Sequence, residues 1–253
     1  VVVTATKKEE STQDIAVSIT AITADQLAAD QIYDLQDLAE IVPGFGVAKG
    51  IGSGSGFVMR GIGSYGVGAA VVSSIVTSIN GHSVNPSIMN DMGFMDLERI
   101  EVLNGPQGTL FGRNSVAGVI NLVTARPTGE FEGYVDYESG NYDKETVKGA
   151  VNMPISDTVR ARLAFMTNTR DGMVENTTNG NKMDDRNDQA VRLSLDWDIN
   201  DVTELKFTYS GQKSNDNRPQ EEISYCQQDP FFGCSPWVRG TPNTAADSRG
   251  IGA

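Results

Sequence analysis

Few residues in this chain have types and spacing suited to chemistry. There is one histidine, His82, so a histidine-rich metal site or an HExxH zinc helix is absent. No G-x-S-x-G is present, and His82 would be the only imidazole base for a hydrolytic triad. Gly61, Gly63 and Gly66 meet the G-x-G-x-x-G spacing after the strand-like run 57–59. Such a loop can cradle a pyrophosphate, but only within repeated strand–helix–strand units. The second half of the chain instead has the pattern of hairpins. Cys226 and Cys234 bracket the segment CQQDPFFGC. A local disulfide is expected there, with an oxidising compartment implied; reduced surface thiols are the alternative. No catalytic residue, cofactor or metal centre is expected from these residues.

Composition narrows the partners. The chain has 253 residues with 20 Lys plus Arg against 33 Asp plus Glu, a net charge of −13. Nucleic-acid binders need a basic face to displace counterions, so nucleic acid is not an expected partner. At 39% hydrophobic residues the composition is that of a folded chain. No run of about 18 apolar residues exists, so no transmembrane helix is expected. A membrane barrel is not excluded, because its strands alternate and barely register in hydropathy. No signal peptide precedes Val1, which suggests a mature or trimmed chain.

The elements that must position any site fall into two halves. Residues 1–8 are β-prone. The spacing of Leu27, Ile32, Leu35, Leu38 and Ile41 predicts one helix from Thr23 onward, capped by Thr23 with Gln26 as a capping box and stopped by Pro43 and Gly44. Glycine-rich sequence follows, with short strands expected over 56–60, 71–79, 100–103 and 116–124. Pro127 to Gly129 is a natural boundary. Beyond it, five segments alternate: Val135 and Tyr137; Val147 and Val151; Val159, Leu163 and Phe165; Val191, Leu193, Leu195 and Trp197; Leu205, Phe207 and Tyr209. Polar residues fill the intervening positions. The links MPISD and INDV are short, while 168–188 and the stretch from Gly211 are long and polar. The short turns then fall on one side of the sheet, as in outer-membrane barrels, with the short link around Gly140–Lys144 on the long-loop side a mild exception. A soluble half-buried sheet gives the same alternation and remains the rival reading. Five strands cannot close a barrel, whose smallest members have about eight. The chain is therefore expected to be a fragment, or to be completed from elsewhere.

The segment DLERIEVLNGPQGTLFGRNSVAGVINLVTARP, residues 96–127, resembles the plug domain of TonB-dependent outer-membrane receptors. ITADQLAADQIYDLQDLAEIVPGFGV is similar to the plug's first helix and its Pro-Gly turn, FVMRGIG to its Arg-Gly strand, and SIVTSINGHSV to a later hairpin with Asn80 at the usual Asp position. VVVTAT resembles the TonB box. The resemblance implies an α+β plug domain followed by antiparallel transmembrane β-barrel strands, here incomplete, since the family's barrel has 22 strands and a plugged lumen. It implies a TonB-box-like segment over 1–8, a plug over 9–127 and the N-terminal part of the barrel, with external loops, over 128–253.

Function and site residues follow from that resemblance. It implies active uptake of a scarce solute across the bacterial outer membrane, with ferric siderophores the family's commonest ligands. A signal transducer or a soluble β-rich binding module are the alternatives. TonB, energised by ExbB and ExbD, would pair with Val1, Val2, Val3, Thr4 and Ala5 by adding a strand. Three plug apices would meet a small-molecule or metal-chelate ligand: Lys49, Ser53 and Ser55 in the first, Ser64 and Tyr65 in the second, Asn85, Met89 and Asn90 in the third. Arg60, Glu101 and Arg113 are the expected plug–barrel contacts, and outer-membrane lipid and lipopolysaccharide would surround the barrel. Asn104 stands where many members have an arginine that pairs with barrel carboxylates. The inward-facing Glu132, Asp136, Arg160, Arg162, Arg192 and Asp196 are suited to holding a plug by hydrogen bonds and ion pairs.

Overall fold

The computed structural model describes residues 2–3, 10–11, 18–49, 55–63, 73–84, 93–112, 114–175 and 180–216, together with short strand segments at 225–226, 228–229, 233–234 and 241–242. Two five-stranded sheets dominate.

The first sheet is built from β1 (Ile19–Thr23), β5 (Ile75–Ile79), β6 (His82–Val84), β7 (Leu97–Asn104) and β8 (Gly118–Thr124), in the order β1-β7-β8-β5-β6. It is mixed: β8 pairs antiparallel with β7 and parallel with β5. Between β1 and β5 lie helices α1 (Ala24–Ala29) and α2 (Leu38–Ile41) and a small antiparallel sheet of β2 (Phe45–Lys49), β3 (Ser55–Met59) and β4 (Ile62–Gly63). A third short helix, α3 (Gly108–Phe111), links β7 and β8. Helices and small sheet bury their apolar faces on the main sheet, in a core that includes Leu35, Leu38, Phe57, Met59, Ile75, Ile100, Ile120 and Leu122.

The expected helix over 23–42 is two short helices instead. The capping box at its start is present: Thr23 Oγ1 accepts from Gln26 N, and Gln26 Oε1 accepts from Thr23 N at 3.0 Å. The helix ends at Ala29 because Gln31 takes the left-handed conformation, at φ 55°. Asp34 Oδ1 then accepts from Gln36 N at 2.7 Å, and Asp37 Oδ2 from Tyr33 N at 2.7 Å. These carboxylates offer the backbone an alternative to helix, as short polar side chains do. The apolar spacing survives the break, since Leu27, Ile32, Leu35 and Leu38 are all buried.

Hairpin geometry explains why the glycine triplet is no nucleotide loop. Arg60 and Gly61 both have positive φ, at 51° and 79°, and join β3 to β4 antiparallel. Asn80 and Gly81 do the same between β5 and β6. Two positive-φ residues in a row make the tight turn that matches strand twist. Gly61 and Gly63 thus lie in a hairpin, whereas a dinucleotide loop runs from strand to helix.

The second sheet is an antiparallel meander of β9 (Glu132–Gly140), β10 (Lys144–Pro154), β11 (Val159–Arg170), β12 (Arg186–Asn200) and β13 (Thr203–Ser214), in sequence order. Its strands reach 15 residues. One face carries exposed Val135, Tyr137, Phe165, Leu193, Trp197, Phe207 and Tyr209. The opposite face carries the buried Ala150, Asn152, Arg162, Ala164, Arg192, Ser194 and Asp196, and it meets the segment before β7 and the linker after β8. The turns after β10 and β12 are short; the link after β11 carries its own two-stranded hairpin, Val174–Glu175 with Lys182–Met183.

Candidate functional site: a charged seam between the two sheets

The segment just before β7 makes the seam. Asp96 has φ 49°, a left-handed conformation that an aspartate tolerates better than most residues. That turn leads into β7 and leaves the Asp96 carboxylate against the second sheet. Arg162 of β11 holds it with two parallel bonds, Nε to Oδ2 at 2.8 Å and Nη2 to Oδ1 at 2.6 Å. The two side chains are 10% and 4% exposed, so water screens the pair weakly. Tyr134 of β9 donates its hydroxyl to Asp96 Oδ1 at 3.3 Å.

A second arginine completes the grip through the backbone. Arg192 of β12 donates Nη2 to the Met95 carbonyl at 2.7 Å and Nη1 to the Asp96 carbonyl at 3.3 Å. The Asp96 carbonyl also accepts from Ala125 N at 3.0 Å, which ties the turn to the end of β8. Met95 fills a recess formed with Ala150, Ala164, Met166 and Ala190. Small residues on three neighbouring strands leave room for that one long side chain, which is flexible enough to fill an irregular gap.

Toward the short-turn end, the connection between the sheets is fastened separately. Arg126 donates to Asp196 at 2.6 Å and to Glu204 at 3.3 Å. Asn152, fully buried on β10, accepts from Thr128 N at 2.9 Å and donates to the carbonyls of Thr128 and Glu130. A single amide thus satisfies three backbone groups of a segment that has no strand partner of its own.

The anticipated site residues distribute as follows. Arg162, Arg192 and Asp196 meet the first sheet or the linker that follows it, as their inward position required. Arg160 pairs with Asp198 at 2.8 Å on the next strand. Arg60 is exposed and donates to Ser18 Oγ at 3.3 Å. Glu101 is fully buried, and accepts from Arg99 at 2.8 Å and Asn121 at 3.0 Å. Asn121 in turn accepts from Ser78 Oγ and Gly81 N, so these groups form one polar network inside the first sheet. Lys49 and Ser55 are register partners at the end of the β2–β3 hairpin that residues 50–54 connect. Val2–Val3 pairs antiparallel with Glu10–Ser11, and Val3 is buried. Cys226 and Cys234 fall in the short strands Tyr225–Cys226 and Gly233–Cys234, and their side chains lie outside the described residues. Val1, Thr4, Ala5, Ser53, Ser64, Tyr65, Asn85, Met89, Asn90 and Arg113 also lie outside them. Asp96, Tyr134, Met95, Arg126 and Asn152 were not anticipated. Their partners lie 22 to 97 residues away, and no local pattern marks them. Among the described residues, no three His, Cys, Asp or Glu side chains converge as a metal site.

Comparison with known proteins accords with this arrangement. Residues 11–119 match the family model of the TonB-dependent receptor plug domain. The iron-regulated outer membrane virulence protein of Vibrio cholerae is 29% identical over 182 residues, which is 67% of this chain and 28% of that protein. The ferrichrome outer membrane transporter/phage receptor of Escherichia coli is 30% identical over 142 residues, 54% of this chain and 18% of that protein. In fold, the ferric yersiniabactin uptake receptor of Yersinia pestis aligns with a TM-score of 0.69 at 22% identity, covering 78% of this chain and 31% of that one. The chain thus spans less than a third of the length of these relatives. Residues 11–119 are thus a TonB-dependent receptor plug domain, and the chain, with its wall of long antiparallel strands and a charged seam joining the two, is similar to the TonB-dependent outer-membrane receptors.

Proposed function

We propose that this chain is the N-terminal part of a receptor that takes up a scarce solute across the outer membrane, with energy delivered by TonB and its ExbB and ExbD partners. Residues 1–8 are the segment TonB grips, 9–127 the plug, and 128–253 the first barrel strands with their external loops. The observation that carries the reading is the seam itself. A mixed sheet with a polar interior network is clamped by Asp96, Arg126 and the linker against a wall whose other face is apolar. Such a wall is suited to lipid on one side and a hydrated plug on the other. A plug held by ion pairs and hydrogen bonds can be released without tearing an apolar core, which an uptake cycle needs.

The ligand is a small molecule or metal chelate, and an iron chelate fits best with relatives named for iron regulation, ferrichrome and ferric yersiniabactin. Lys49, Ser53, Ser55, Ser64, Tyr65, Asn85, Met89 and Asn90 are its proposed plug contacts and Arg113 a proposed plug–barrel contact, whereas Arg60 and Glu101 act within the plug, through Ser18 and through Arg99 and Asn121. Cys226 and Cys234 are proposed to close an external loop. No catalytic step is required.

The test uses the full-length gene product in cells lacking other receptors. Deleting residues 1–8 should abolish energised uptake of radiolabelled ferric chelates while binding to the cell surface persists. Undiminished uptake by the deletion variant would overturn the proposal.

A further inference from the structure

A cavity of about 340 Å³ opens beside the seam, between the α1–α2 connection and the ends of β9–β12 opposite the turns after β10 and β12. Its volume is within the range of small-molecule sites. Lys144, Lys148, Arg170 and Arg186 line it, an unusual concentration of cations in a chain of net charge −13. Lys144 and Lys148 are four residues apart on one strand, so they share a face. Both ammonium groups stand over the ring of Tyr33, at 6.0 and 5.3 Å from its centroid.

The four cations differ in how they are balanced. Lys144 pairs with Glu138 at 2.6 Å. Arg170 and Arg186 share Asp184, at 3.3 and 2.8 Å. Asp34, also on the lining, accepts from the backbone N–H groups of Gln36 and Asp37. Lys148 has Asp136 as its cross-strand register partner, yet among the described residues it makes no ion pair within 4.0 Å. Its ammonium lies over Tyr33 instead. A cation held over an aromatic face keeps most of its capacity to bind an anion, because the ring offers only about 0.5–2 kcal/mol of attraction and no hydrogen-bond acceptor.

We propose that this cavity is an anion-binding station for a small carboxylate- or phosphate-bearing molecule, free or as part of a metal chelate. Lys148 is the principal contact, Lys144 the second cation, and Tyr33 the floor. None of the described residues that line it belongs to the three proposed plug apices. It rests on the uptake reading only for its biological use, since it would lie on the route between plug and wall.

The experiment measures equilibrium binding of radiolabelled citrate, ferric citrate and inorganic phosphate to the full-length receptor in detergent. Wild type is compared with Lys148→Ala, Lys148→Arg and, as a control on the opposite face of the wall, Lys213→Ala. Lys148 is only partly buried, so its variants should fold. The expected result is a dissociation constant raised about tenfold or more in Lys148→Ala, by loss of a charge-assisted hydrogen bond. Lys148→Arg and Lys213→Ala should stay close to wild type. Lys148-dependent binding of citrate alone identifies a free acid as sufficient; the same dependence with ferric citrate only identifies a chelate. Equal affinity in Lys148→Ala, or no binding of any of the three probes at millimolar concentration, would overturn the station. Those results would leave the uptake reading standing if uptake still required residues 1–8. Conversely, Lys148-dependent binding with uptake indifferent to residues 1–8 would retain the station and sink the uptake reading.

Discussion

Replacing Asp96 by asparagine separates charge from shape at the seam. Asparagine tolerates the left-handed backbone that Asp96 adopts at φ 49°, and its amide oxygen can still accept one bond from Arg162. The anion is lost, however, and two arginines of the wall, Arg162 and Arg192, remain against the site. Removing one partner of a buried ion pair costs about 3–5 kcal/mol, chiefly because the survivor is left without compensation. The Arg162 side chain is 10% exposed and asparagine keeps one acceptor, so about 3 kcal/mol is the appropriate figure. That corresponds to roughly a hundredfold change in an opening equilibrium. Amide hydrogen exchange in the full-length receptor reads it directly. The amides of Leu97–Asn104 and Ala125, which hang on the Asp96 turn, should exchange about a hundredfold faster in Asp96→Asn. The double variant with Arg162→Gln should recover part of the protection, because one uncompensated guanidinium is then gone. Exchange at these amides within threefold of wild type would show that the pair does not hold the plug, and the reasoning from burial would fail.

Other outcomes follow from the same geometry. Leu193 lies at the middle of β12 on the apolar face and Ile199 next to its last residue. Arginine at 193 should destabilise the membrane-inserted receptor by about 2–4 kcal/mol and arginine at 199 by about 1 kcal/mol or less, measured by reversible unfolding from lipid vesicles; equal effects would deny that this face meets lipid. A Cβ at Gly118 would collide with Met59 Sδ and the Leu103 carbonyl oxygen, so Gly118→Ala should cost about 1–3 kcal/mol of plug stability and lower its thermal transition. Asn152→Ala should leave three linker groups unsatisfied and make the 128–130 segment newly sensitive to proteolysis, with wild-type resistance counting against its fastening role.

Regular elements were legible in the sequence because their causes are local. Alternation placed all five long strands, although Lys144–Pro154, Val159–Arg170 and Thr203–Ser214 extend past the alternating residues. Those extensions are mostly polar, as suits strand ends beyond the hydrocarbon layer, and they blunt the period-two signal. The Thr23 capping box and the Asn80–Gly81 turn were likewise readable, since each depends on residues within one turn of chain. The helix from Thr23 onward was over-extended for the same reason. Apolar spacing spoke for one element, while the breaking force came from Asp34 and Asp37 side chains bonding the backbone between them.

The seam was half legible, and the half that was missed has a physical explanation. Inward charges on strands are conspicuous, because a buried guanidinium on a sheet face demands a partner; Arg162 and Arg192 could be picked out on that ground. Their partners could not. Asp96 precedes an ordinary strand, in a run where a carboxylate would be expected to face water. Met95 beside it has the same composition as any core residue. What selects them is the turn at φ 49°, which points the two side chains to the wall at once, one into a charged recess and one into the gap left by Ala150, Ala164 and Ala190. The charge pattern then has a consequence for release. Arg192 grips carbonyl oxygens of Met95 and Asp96, which no substitution of those side chains removes. Side-chain variants at 95 and 96 should therefore loosen the plug without freeing it, whereas Arg192→Ala removes the one contact that follows the backbone itself. In hydrogen exchange, Arg192→Ala combined with Asp96→Asn should open β7 by less than the product of the two single effects, because Arg192→Ala also removes one of the two guanidinium groups that Asp96→Asn leaves uncompensated. Strict multiplicativity would mean that the two arginines act as independent latches and that the turn is not a single clamped unit.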